Sequence, residues 1–206
     1  MKNRKLIALT FDDGLNETTT VQVLDLIEKH SITATFFVIG NKITAKTSEI
    51  MKRAVRLGCD FENHSLTHPV MSELTDEEIS EETALVSERI REITGRAPKF
   101  FRPPYIAVND RMHELINLVF VCGIGAEDYN DEVTAEQRYE KLAEQIQDGH
   151  IILLHDMEGN FRTVKALERL IPELLNEGYE FVTVNELFER NNVIPEKGKI
   201  YTNVHQ

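Results

Sequence analysis

Lys5-Leu6-Ile7-Ala8-Leu9-Thr10-Phe11 runs straight into Asp12-Asp13-Gly14. A short apolar run closed by two acids and a glycine reads as a buried strand followed by a turn. The same grammar continues downstream. Thr18–His30 carries Val21, Leu24 and Ile27 at helical spacing, and Ala34–Ile39 (ATFFVI) is a second buried strand closed by Gly40. Ile50–Leu57 reads as an amphipathic helix closed by Gly58. Thr75–Thr94 is a charged helix with Ile79, Val86, Ile90 and Ile93 toward a core. Thr75 and Glu78 form a capping box at its start and Gly95 caps its end. Leu118–Val121 is a strand, Thr134–Gln147 a helix, Ile151–Leu154 a strand, Thr163–Asn176 a helix and Phe181–Val184 a strand.

Strands alternating with helices imply a parallel sheet with helices outside it. The sharpest polar motifs, Asp12-Asp13 and His155-Asp156, follow strands directly, and sites in parallel α/β folds gather at the carboxyl ends of strands. The expected fold is therefore α/β, an irregular barrel in preference to an open doubly wound sheet. No internal repeat or linker interrupts the chain. It is read as one domain over residues 1–206, with 191–206 a C-terminal tail or terminal wrap.

The 206 residues suit a single domain with a substantial core. A net charge of −12, from 35 acidic and 23 basic residues, argues against a nucleic-acid or anionic-membrane partner but is compatible with a neutral polysaccharide. Cys59 and Cys122 are expected as free thiols. Met1–Arg4 lead straight into the first strand with no visible export signal, and no apolar stretch reaches membrane-spanning length, so a soluble monomer is expected.

Four polar motifs carry chemistry. Adjacent Asp12 and Asp13 are costly to bury together unless a cation neutralises them. One carboxylate then binds the metal while the other takes a proton from water. Taken alone, the pair is more simply a turn with an Asx cap. His64 and His68 are four apart, a spacing that points both to one side of a helical turn and suits a shared metal. Two imidazoles and a carboxylate leave open positions, as in hydrolytic zinc sites. In isolation the histidines are evenly balanced against surface residues at a helix start. In Arg102-Pro103-Pro104-Tyr105 the prolines stiffen a loop, so that Arg102 pairs with a carboxylate and the Tyr105 amide is free for an oxyanion. By itself the motif reads as a rigid loop with a surface arginine. In Leu153-Leu154-His155-Asp156, a histidine leaving a buried strand suits general acid chemistry, and a leucine before it suits a methyl pocket. Its plainer reading is a satisfied core histidine. Asp128 is a candidate to orient that histidine. His30, His113, His150 and His205 lack such company and read as structural or surface residues.

Together Thr10–Gly14, His64–His68, Arg102–Tyr105, Asp128-Tyr129 and Leu153–Asp156 resemble, in order, the five motifs of the NodB-type polysaccharide deacetylases, carbohydrate esterase family 4. The resemblance covers roughly residues 5–190, and three stretches (118–121, 134–138 and 178–187) look most like the bacterial acetylxylan esterases. It implies a deformed (β/α) barrel and a metal-dependent hydrolase that removes N- or O-linked acetyl groups from a carbohydrate polymer such as xylan, chitin or peptidoglycan. It implies Asp13, His64 and His68 as ligands of one divalent metal ion, zinc first, with cobalt or nickel able to serve. It also implies Asp12 as general base, His155 as general acid, Arg102 as the partner of Asp12 and Asp128 as the partner of His155. The Tyr105 amide is implied as oxyanion donor and Leu153 as part of an acetyl pocket. By resemblance the location is extracellular or in the cell envelope, while the absent signal leaves the cytoplasm open.

Two departures stand out. The family's fourth motif carries Trp after its Asp, whereas Tyr129 stands here and the chain has no Trp. The third is followed by Gly, whereas Ile106 stands here, a residue expected to keep φ negative. The alternative functions are hydrolysis of a small amide or cyclic ureide on the same fold, and a non-catalytic, metal-stabilised glycan-binding module.

Overall fold

The computed structural model describes residues 5–206. Met1–Arg4, expected to lead into the first strand, lie outside the described residues. Along the chain come β1 (Lys5–Asp12), α1 (Thr19–His30), β2 (Thr35–Val38), α2 (Ala45–Arg56), β3 (Asp60–Asn63) and α3 (Asp76–Thr94). β4 (Phe100–Phe101), α4 (Asp110–Leu115), β5 (Val119–Val121), β6 (Ile124–Gly125) and α5 (Ala135–Gln145) follow. β7 (Ile151–His155), α6 (Phe161–Asn176), β8 (Tyr179–Val182), α7 (Val184–Arg190) and β9 (Ile200–Tyr201) complete the α-helices and strands of the described residues. In the expected strand Phe181–Val184 the last two residues belong instead to a helix, because Thr183 caps α7 through the Glu186 amide.

All named strand pairs are parallel, in the order β6-β7-β1-β2-β3-β4-β5-β9, with β8 beside the first half of β1. Each strand of such a sheet must be apolar on both faces. β1 satisfies this by parity. Ile7, Leu9 and Phe11 join the large core under α1, α2, α3, α5 and α6, while Leu6 and Ala8 join a second cluster with Val184, Leu187 and Phe188 of α7. On the helix side Phe11, Phe36 and Phe61 are stacked across β1, β2 and β3 with ring centroids 5.4 Å apart at each step. Losing one such ring typically costs about 3–5 kcal/mol. On the inner side the parity of Leu6 and Ala8 continues to Thr10 and Asp12, so the run that begins as core ends as chemistry. The architecture is the expected deformed barrel.

Segment 191–206, expected as a tail or wrap, forms part of the barrel wall. β9 pairs with β5, and Ile151 N–H donates to Thr202 O at 2.9 Å, bringing the segment back to β7. Tyr201 and Val204 are buried there. No described helix is long and apolar enough to cross a membrane, and Cys59 and Cys122 are free.

Candidate active site

Four strand ends deliver the site. Asp12 closes β1 and Asp13 follows it, His64 follows β3, Arg102 follows β4 and His155 closes β7. Asp12 and His155 are register partners on adjacent strands, as are Thr10 and Leu153, which puts Asp12, His155, Thr10 and Leu153 on one face. Asp13 takes a left-handed backbone, φ 68°, which turns its carboxylate away from the strand. Asp tolerates this conformation better than most residues. Gly14 is required next: a Cβ there would stand 2.4 Å from Asp156 Oδ2. Asp156 is buried, which pushes its carboxyl up to about 7, and it accepts from the Thr20 hydroxyl at 2.5 Å.

His64 and His68 meet as expected, but not on a helical turn. They flank a loop in which Ser65 has φ 63° and His68 φ 62°. Helix geometry would have set both rings on one face by spacing alone, whereas this loop does so through side-chain anchors. Asn63 Oδ1 accepts the Ser65 amide at 2.9 Å and Ser65 Oγ accepts the His68 amide at 3.0 Å. Glu82, on α3, accepts the Leu66 and Thr67 amides at 2.8 Å each and the Thr67 hydroxyl at 2.7 Å. In the sequence Glu82 is one more acid on a charged helix and gives no signal of this task.

His64 Nδ1 lies 2.6 Å from Arg102 O. A carbonyl only accepts, so Nδ1 carries the proton and the Nε2 lone pair faces outward. That nitrogen is 3.4 Å from Asp13 Oδ1, and His68 Nε2 is 3.3 Å from the same oxygen. Asp13 Oδ1 is buried with no hydrogen-bond partner. Burial pushes the Asp13 carboxyl up, but the neighbouring imidazoles of His64, His155 and His68 outweigh it and hold it below its ordinary value. Burial pushes the His68 ring down, toward its neutral, ligating form. The three ligand atoms lie within 4.8 Å of one another. An orphaned carboxylate oxygen facing two imidazole nitrogens is the donor set of a divalent cation, and the residues fit one.

Two buried pairs stand beside this triad. Arg102 NH1 donates to Asp12 Oδ1 at 2.6 Å and to Thr10 Oγ1 at 2.8 Å, NH2 donates to Cys122 O at 2.7 Å, and the guanidinium lies 4.1 Å over the Phe37 ring. Across the sheet, Asp128 Oδ1 meets His155 Nδ1 at 2.8 Å and Asp128 Oδ2 accepts the His155 amide at 2.8 Å. The site opens into a cavity of about 510 Å³. Asp12, Asp13, His64, His68, Tyr105, Tyr129, Leu153 and His155 line it, with Arg102 and Asp128 behind the wall. Tyr105 stands edge-on to His68 and Tyr129 edge-on to His155, and both tyrosines are exposed, at 67% and 64%. All ten predicted residues therefore converge. One expectation fails: Ile106 has φ 53°, directly after Tyr105 at φ 58°. The amides of Ile106 and Ala107 turn back onto the carbonyls of Pro103 and Pro104 at 3.0 and 3.1 Å, which forces the tight turn on whatever residue stands there.

The sequence pattern of the family described as polysaccharide deacetylase matches residues 1–122. The chain belongs to the polysaccharide deacetylase family. Relatives of this chain include a bifunctional xylanase/deacetylase of Pseudobutyrivibrio xylanivorans, 45% identical over 98% of this chain and 34% of that one. The peptidoglycan-N-acetylmuramic acid deacetylase PdaC of Bacillus subtilis is 35% identical over 91% of this chain and 39% of that one. The chain spans about a third to two-fifths of the length of these curated relatives. Among solved structures, a family 4 acetyl xylan esterase from Clostridium thermocellum, in complex with a cobalt ion, superposes with a TM-score of 0.94 at 38% identity, covering 98% of this chain and 100% of that one.

Proposed function

We propose that this deacetylase hydrolyses acetyl groups from a carbohydrate polymer, with Asp13, His64 and His68 holding one divalent metal ion. The carrying observation is the orphaned Asp13 oxygen between two imidazole nitrogens, flanked by a buried acid–arginine pair and a buried histidine–acid pair. Zinc is the proposed metal on the nitrogen and oxygen donor set, and the similar esterase was solved in complex with a cobalt ion. When bound, the ion supplies a Lewis acid for a carbonyl and lowers the pKa of water.

The chain's own groups do the rest. Arg102 holds the Asp12 carboxylate in place through its NH1, and Asp12 takes a proton from the attacking water. The water oxygen adds to the acetyl carbon, and the Tyr105 amide donates to the developing oxyanion. His155, held by Asp128, gives a proton to the leaving nitrogen or oxygen as the carbon–nitrogen or carbon–oxygen bond breaks. The products are acetate and a free amine or hydroxyl. Leu153 lines the acetyl-methyl pocket, and the exposed rings of Tyr105 and Tyr129 offer faces to sugar on either side. An acetylated xylan is the first choice of substrate, on the 45% identity to a xylanase/deacetylase, with peptidoglycan second. Both polymers lie outside the cytoplasm, so the proposed place of action is the cell envelope or beyond, as a monomer.

The test is acetate release from acetylxylan, chitin oligosaccharides and peptidoglycan by the metal-loaded protein. Release should stop with a chelator and return with metal. Asp12→Asn should abolish turnover while metal binding persists. Near-normal release by Asp12→Asn would end the proposed mechanism. Metal bound with no release from any of the three would favour a small-amide hydrolase or a binding module.

A further inference from the structure

Behind Asp128 lies a buried cation that the motifs do not include. Arg138, on α5, is 1% exposed. Its guanidinium meets only neutral oxygens. NH1 donates to Asn160 Oδ1 and to Thr163 Oγ1, the latter at 2.8 Å, NH2 donates to Asn130 O at 2.9 Å and Nε to Val133 O at 3.0 Å. Asn160 and Thr163 both turn their other side to Asp128. Thr163 Oγ1 donates to Asp128 Oδ2 at 2.8 Å. Asn160 Nδ2 donates to Asp128 O at 3.2 Å, to Asp128 Oδ2 at 3.3 Å and to His155 O at 2.8 Å.

We infer that Arg138 is a positioning residue that fixes the Thr163 hydroxyl and the Asn160 amide as donors to Asp128, and so holds Asp128 in place as the acceptor of the His155 Nδ1 proton. A guanidinium has donors and no acceptor. Thr163 must therefore accept from Arg138 and spend its one proton on Asp128. Asn160 must turn its oxygen to Arg138, which leaves its NH2 for Asp128 and His155. Asp128 then receives donors from Thr163, Asn160 and the His155 amide, and a carboxylate surrounded by donors accepts. The short contact at its Oδ1 must be filled by a proton on His155 Nδ1, and Nε2 is left to face the cavity. The same guanidinium ties the carbonyls of Asn130 and Val133, the turn that follows Tyr129. Without Arg138 the Thr163 hydroxyl is free to rotate and the Asn160 amide to flip, and either change can set oxygen against oxygen at Asp128. Buried networks of this kind are costly when one end is left open.

The inference rests on His155 acting as the general acid, and its test separates the two. In the metal-loaded full chain, Arg138→Met should lower kcat for acetate release roughly 10- to 100-fold, the usual cost of losing such an outer partner. KM and metal content should hold. In an Asp128→Asn background the same substitution should change kcat by less than about two-fold, because two residues acting through one path are not additive. Arg138→Lys should restore part of the loss. Should Arg138→Met fail to fold, Thr163→Val, which removes one hydroxyl at constant shape, should lower kcat in the same non-additive way. A second readout needs no turnover: proton NMR should show a slowly exchanging His155 Nδ1–H in the parent protein and its loss in Arg138→Met or Thr163→Val. Equal losses in both backgrounds, a loss carried by KM, or an unchanged Nδ1–H resonance would overturn the inference. If the parent protein releases no acetate from any glycan, the deacetylase reading fails and the resonance alone decides the role of Arg138.

Discussion

At His155 the two largest influences oppose each other. Burial disfavours the charged ring, while the Asp128 hydrogen bond and charge, then Asp12 and Asp13, favour it and leave it raised to about 9. A histidine raised above its ordinary value near 6.5 stays protonated past neutrality and loses its proton as pH climbs through the folded value. Its contribution to stability follows the same sign, full below about 6.5 and lost toward 9. A cation on Asp13, His64 and His68 would lower that value by like-charge repulsion. The alkaline limb of kcat should therefore lie at or below pH 9. In Asp128→Asn it should move to lower pH, because the countercharge goes and the burial remains. A pH–rate profile on one substrate checks this, and an unmoved limb would remove Asp128 from its assigned role. Ile106 permits a stability measurement. A β-branched residue at φ 53° is strained, and Ile106→Gly should raise stability by about 1 kcal/mol after the entropy that glycine adds to the unfolded chain, read as a higher Tm. At this scale the membership of the candidate site was legible in the sequence as a set of motifs. Paired acids, spaced histidines and a histidine leaving an apolar strand each read as well or more simply as structure when taken alone, and only their ordered resemblance to one family set them together. Backbone conformation was not, since the left-handed turn at Tyr105-Ile106 is imposed by its two back-bonded amides and not by the residues in it.

Elements divide along the same line. α3 was readable to within a residue because its signals are local: Thr75 accepts from the Glu78 amide, the Glu78 side chain answers, and Gly95 ends the helix at φ 76°. β3, β4, β6 and β9 are two to four residues long, too short for periodicity to register. The histidine loop was misread for a related reason. A spacing of four suits a helix, yet this loop is shaped by Asn63, Ser65 and Glu82, and Glu82 reaches it from another element. That dependence sets a prediction. Glu82→Ala leaves the Leu66 and Thr67 amides without their acceptor, loosening the loop between the two proposed ligands while touching neither. Metal affinity should fall roughly ten-fold, the low end for lost outer partners, with a small effect on Tm. Calorimetric titration of the metal-free protein with zinc reads the affinity directly. Unchanged affinity would mean that the loop holds its shape through Asn63 and Ser65 alone.

In the whole molecule the face that carries the candidate site and the barrel floor are built by different chain segments. The site occupies the carboxyl ends of β1, β3, β4 and β7. At the other end α7 and the C-terminal segment close the barrel, with the Tyr201 ring edge-on to Phe188 at 5.1 Å and Phe188 stacked on Phe100 at 5.3 Å. Two apolar residues, Ile200-Tyr201, in an otherwise polar stretch gave no sign of a strand, because β9 exists only where β5 and β7 leave a place for it. Such a division predicts separable effects. Tyr201→Ala should open a cavity in the floor and cost about 3–5 kcal/mol, by analogy with other buried aromatic truncations. For a domain of this size that corresponds to a fall in Tm on the order of 10 °C. The Cys122 amide would still donate to the backbone oxygen of residue 201, as it does at 2.8 Å here, and Cys122 O would still receive Arg102. The Asp12–Arg102 pair should thus be preserved, and kcat per folded molecule, measured well below the lowered Tm, should stay within about two-fold of the parent, because the truncated ring itself touches Phe188 and not the site. A large loss of kcat at full folding would instead mean that the floor transmits strain through Cys122 to Arg102, and that the C-terminal segment belongs to the site as well as to the barrel.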